Sequence, residues 1–70
     1  MKQQIENNFT HHPPKEGQIE KYTEIRGTAK QLALTIDALC PNSREKSLAM
    51  TKLEEVVMWA NASIARNEDD

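Results

Sequence analysis

Three side chains at helical spacing have the chemistry of a nucleotide site. Tyr22, Arg26 and Lys30 stand at i, i+4 and i+8, which places them along one line of a helix. Arg carries a planar fork that matches phosphate and Lys a compact point charge. Tyr adds an aromatic face with a polar tip. Such a trio can stack a base on the ring and hold phosphate on the cations. The same pattern also describes a charged, solvent-facing line whose apolar stems cover a core. Gly27 lies within this stretch. A glycine inside a helix costs about 1 kcal/mol relative to Ala, and it is tolerated where a ligand or a partner helix approaches the backbone. Thr28, its neighbour, adds a hydroxyl.

Upstream lies the adjacent pair His11-His12, followed by Pro13-Pro14. Two imidazoles do not fill a tetrahedral metal site, and no third His or nearby Cys completes one, so no metal is expected. The rings can stack on a planar group or donate to an anion, or they can be solvated with the rest of their segment. No catalytic set emerges. Cys40, beside Pro41, has no evident base, and there is no Gly-rich phosphate loop, no Ser/His/Asp order and no pair of acids placed in a recognisable pocket. The expectation is a protein that is not an enzyme and uses no cofactor.

These residues must be positioned by helices. Residues 2–8 (KQQIENN) are polar around one Ile and fit a short helix or an irregular segment. Residues 9–17 (FTHHPPKEG) exclude a helix, because Pro13 and Pro14 lack amide donors and push His12 toward extended geometry. They read as a Pro-rich arm closed by Gly17. From Gln18 to Leu39, apolar residues at 19, 22, 25, 29, 32, 33, 36 and 39 step mostly by three and four, a helical stripe. Residues 40–43 (CPNS) form the turn, with Pro41 stopping the helix. Asn42 is the expected N-cap, with Glu45 three residues on, and Ser43 is the alternative. A second helix then spans about 43–67. So short a connection makes the two helices antiparallel neighbours. Residues 68–70 (EDD) are expected to form a solvated acidic tail.

A chain of 70 residues can bury little by itself. One Cys allows no disulfide within the chain, no apolar run approaches the length of a membrane span, and MKQQIENNF has no signal-peptide core. The expectation is a soluble cytosolic domain. The net charge of −2 misleads: without Glu68, Asp69 and Asp70 the chain carries nine basic and eight acidic residues. That is too few cations for a DNA binder, but enough to place a few against a small anion.

The second helix is too apolar for a lone hairpin. Ala49, Leu53, Val56 and Ala60 form one row and Met50, Val57 and Ile64 another, and Val56 to Ala60 is apolar without a break. A helix apolar all round needs cover all round. One partner helix cannot supply it, so a homo-oligomer is expected. Asn61 and Ser63 beside this run need polar partners across an interface if they are buried.

FTHHPPKEGQ, YTEIRGTAKQLA and CPNSREKSLAMTKLEEVVMWANASIARNE together resemble the phage anti-CBASS protein 2 family and the related hairpin domain of Thoeris anti-defence proteins, over residues 9–68. The resemblance implies an all-α hairpin assembled as a hexamer. It implies a protein that sequesters cyclic oligonucleotide messengers without cleaving them in the host bacterial cytoplasm, away from DNA and membrane. Cyclic dinucleotides such as cGAMP would bind between protomers, and trinucleotides on the three-fold axis. Carried onto this chain, the dinucleotide contacts fall on the arm at His11, His12 and Pro13 and on the first long helix at Tyr22, Arg26, Gly27, Thr28 and Lys30. His11 and Arg26 stand where the family pattern has Tyr and Lys. Arg66 is the candidate for the three-fold site. The alternative is a structural oligomerisation or protein-interaction module without a small ligand.

Overall fold

A computed structural model describes residues 1–68 and, within them, three helices and no strand: α1 (Lys2–Asn8), α2 (Gln18–Leu39) and α3 (Arg44–Asn67). α2 and α3 form the hairpin. Residues 11–15 take no regular secondary structure, as the two prolines require. Gly17 then turns the chain into α2 with φ +84°, a left-handed conformation that glycine adopts without steric cost.

At the turn, Cys40 leaves α2 in extended geometry and its amide closes on the Ile36 carbonyl at 2.9 Å. The cap of α3 is Ser43, not Asn42: the Ser43 hydroxyl oxygen accepts from the Lys46 amide at 3.0 Å. Asn42 instead accepts from Lys46 Nζ at 3.0 Å. The same ammonium donates to the Asp37 carbonyl at 3.1 Å and pairs with its carboxylate at 2.9 Å. A cation in the first turn of α3 opposes that helix's dipole, but Lys46 reaches across to the last turn of α2, where carbonyls lack partners and positive charge is favoured. Its side chain is only 11 % exposed.

Between the two ends, the facing stripes are Tyr22, Ile25, Ala29, Ala33 and Ile36 on α2 and Met50, Leu53, Val57 and Ile64 on α3, all half-buried. Val56, placed by the sequence in one row with Leu53 and Ala60, is 59 % exposed, whereas those two are half-buried. Val56 lies one residue, hence about 100° of helix, from Val57, so the two cannot share a face. Among the described residues no apolar side chain is buried, and Leu32, Met58 and Trp59 are exposed with Val56. No described helix is long and apolar enough to cross a membrane.

Lys46→Met keeps the alkyl stem and removes the three contacts of the ammonium. The expected result is a loss of about 1 kcal/mol in urea unfolding, with helical content unchanged by circular dichroism.

Candidate functional site

The open end of the hairpin, opposite the turn, gathers α1, residues 9–17, the start of α2 and the end of α3. Its centre is Gln18, 2 % exposed and the one buried residue described. The Gln18 side-chain Oε1 accepts from the Lys15 amide at 2.9 Å, and the Gln18 backbone N–H donates to the Lys15 carbonyl at 3.0 Å. From the same side chain, Nε2 donates to the Ile64 carbonyl at 3.4 Å and to the Glu68 carboxylate at 3.0 Å. One amide group thus fastens the 9–17 segment to α2 and α2 to the end of α3.

Glu68 is correspondingly not part of a solvated tail. Its carboxylate pairs with Lys21 and accepts from Gln18, and its backbone carbonyl accepts from Lys15 Nζ at 3.3 Å. The hydrogen bond from Lys21, then that from Gln18, holds the Glu68 carboxyl below its ordinary pKa of 4.5. Asp69 and Asp70 lie outside the described residues.

α1 is docked by two further bonds. Asn7 Nδ2 donates to the Arg66 carbonyl at 2.9 Å, and His12 Nε2 donates to the Asn7 carbonyl at 2.7 Å. A carbonyl only accepts, so this bond puts a proton on Nε2 of His12.

Above this scaffold lies an open cavity of about 510 Å³, lined by Asn8, Thr10, His11, His12, Tyr22, Arg26, Asn61 and Arg66, with Ala62 and Ala65 as its apolar floor. Five of the residues singled out in the sequence therefore meet: His11 and His12 from the connecting segment, Tyr22 and Arg26 from α2, and Arg66 from α3. The i, i+4 spacing brings the Tyr and the Arg to one wall, and Lys30 stands a turn beyond and does not line it. Pro13 is exposed on the same segment without lining the cavity. Gly27 faces open space. Thr28 lines a different, largely apolar cleft of about 340 Å³ with Ile25, Ala29, Leu32, Leu53 and Val56.

Arg66, expected at a separate site, shares the cavity of Arg26 and also borders a neighbouring cleft with Gln4, Trp59, Ser63 and Asn67. Among the described residues neither guanidinium is paired with a carboxylate, so both keep their charge for another anion. With two guanidiniums, two imidazoles and a phenol ring, the arrangement suits a small anion bearing a planar group. The described residues hold no cluster of three or more His, Cys, Asp and Glu that could bind a metal.

The sequence reading missed Gln18, Asn7 and Asn8. Nothing in their spacing marks them: Asn7 and Gln18 reach partners up to 59 residues away, and Asn8 only lines the cavity. Asn61 carried a signal, as an amide beside an apolar run.

A model of the family described as Acb2/Tad1, hairpin domain, matches residues 1–65. Nothing matches among the curated proteins or among the solved structures.

Gln18→Met preserves length and removes the amide with its bonds to Lys15, Ile64 and Glu68. It is expected to lower stability by about 1–3 kcal/mol and to speed proteolysis within residues 9–17, read by limited digestion. For Glu68 the sign follows from its lowered pKa. Its contribution is present above the ordinary carboxylate pKa and is lost as pH falls through the depressed value. Wild type should melt above Glu68→Gln at pH 7, and the gap should close as the pH is taken well below 4.5.

Proposed function

The chain belongs to the Acb2/Tad1 hairpin family, whose membership supports a phage anti-defence role, and we propose that it sequesters cyclic oligonucleotide second messengers without cleaving them. The observation that carries this reading is the convergence of Arg26 and Arg66, neither paired with a carboxylate among the described residues, with Tyr22, His11 and His12 on one cavity. A cyclic dinucleotide such as cGAMP presents two phosphates and two planar bases. The guanidiniums meet the phosphates and the rings stack on the bases. Sequestration asks for binding alone, which agrees with a site of cations, amides and rings without an activated nucleophile. The messenger is thereby withheld from CBASS-type immune effectors in the host bacterial cytoplasm.

The same reading takes the protein as a homo-oligomer, with a hexamer as the family resemblance implies. Support comes from the cleft bordered by Leu32 and Val56 and from exposed Met58 and Trp59. A surface with apolar groups of this size is usually covered by a partner. Pockets completed by a second copy confine little new motion on binding, which preserves affinity. A cyclic trinucleotide would take the cleft on the far side of Arg66.

Incubate the protein with a panel of cyclic di- and trinucleotides, pass the mixture through a size filter, then heat the retained protein and chromatograph what is released. Intact messenger recovered only after heating is the expected result. Arg26→Ala should weaken dinucleotide binding by about ten- to a hundredfold, the worth of a charge-assisted hydrogen bond. An oligomer by native mass spectrometry that takes up no panel member would establish the oligomerisation module instead, and cleaved product would establish an enzyme.

A further inference from the structure

The cavity gathers basic groups and no acid. Arg26 and Tyr22 of α2, Arg66 of α3 and both histidines of the chain line it, α1 adds only the uncharged Asn8, and no carboxylate is among its lining residues. The two imidazoles are placed differently. His12 is half-buried, its Nε2 donates to the Asn7 carbonyl at 2.7 Å, and it also borders a second cleft, which Lys2 and Glu6 of α1 line with it. His11 is exposed and makes no hydrogen bond or ion pair among the described residues. Both of its ring nitrogens are therefore open to whatever enters the cavity.

We infer that His11 takes up a proton as the cavity fills and holds the bound phosphates as an imidazolium, so that sequestration tightens as the pH falls. The inference rests on the cyclic-nucleotide reading above. Imidazole is the side chain whose charge changes between pH 5 and 8. Guanidinium stays protonated across that interval, and phosphodiesters keep their negative charge. A cyclic dinucleotide thus brings two negative charges into a cavity whose lining has none. Negative charge within a few ångströms favours imidazolium over imidazole. The coupling is reciprocal: an anion that favours the protonated ring binds that form more tightly. A ring stacked on a base still presents its N–H edge to phosphate. His12 has a carboxylate, Glu6, on its adjoining cleft before any anion arrives, so binding changes its surroundings less.

The test titrates 3′,3′-cGAMP, or the panel member retained most strongly where that is another, by isothermal calorimetry at pH 6, 7 and 8 in one buffer at constant ionic strength. Wild type should bind about fivefold more tightly at pH 6 than at pH 8. His11→Gln keeps a planar polar side chain that cannot gain charge. Its affinity should lie within about twofold of wild type at pH 8 and stay level down to pH 6. His12→Gln loses the bond to Asn7 and should bind more weakly at every pH while keeping the slope. Wild-type affinity that does not change with pH would overturn the assignment while leaving sequestration intact. So would a pH dependence that survives His11→Gln. If no panel member is retained at any pH, the sequestration reading falls and the assignment with it.

Discussion

The arrangement of this protein depends on one buried side-chain amide. Gln18 stands where α2 begins, and it alone touches the 9–17 segment, the last turn of α3 and the carboxylate of Glu68. Without it the hairpin would still pair along its apolar stripe, but the segment bearing His11 and His12 would be held near Arg66 only through Asn7 and Lys15. Polar clamping does here what a hydrophobic core does in larger domains. Lys46 plays the matching part at the turn, using its charge to finish the end of α2. The helices are thus secured at both extremities by polar groups and in between by half-buried apolar contacts.

Two helices form a layer and cannot enclose one. That geometry leaves Leu32, Val56, Met58 and Trp59 outward, and it leaves the cavity with a floor and walls but no roof. The incompleteness is of two kinds. The apolar excess calls for surface of like character, and the two guanidiniums, without a carboxylate partner among the described residues, call for complementary charge. On the proposed reading, a small anion bearing bases answers the second demand and further copies of the chain the first.

Much of this was legible in the residues. The two long helices and the turn between them follow from spacing, because a helix repeats every few residues and a short window reveals it, whereas residues 2–8, with one Ile, left helix and irregular segment both open. Tyr22, Arg26, His11 and His12 were legible for the same reason, being neighbours along the chain or along one helix. The amide at Gln18 was not, since its partners are Ile64 and Glu68, and periodicity reports faces rather than ends. Val56 and Val57 illustrate a second barrier. Two adjacent valines look equivalent in composition, yet only the rotation of α3 decides which one faces inward. At Asn42 and Ser43 two good capping residues compete, and the choice follows from which of them the Lys46 side chain takes for itself. Glu68 was hidden by its company, grouped with two acids although its own carboxylate is held by Lys21 and Gln18.

The spread of the clamping residues along the chain also orders events in time. Contacts at the turn join residues nine apart or fewer, whereas Asn7 reaches Arg66 across 59 positions and Gln18 reaches Ile64 across 46. Loops that short close at little entropic cost and long ones close late. The hairpin therefore zips from Lys46 outward, and the open end is assembled last. By the same accounting it is the first part to come undone in a local fluctuation. A ligand bound in the cavity would add contacts to this end, which its long-range bonds alone otherwise hold together.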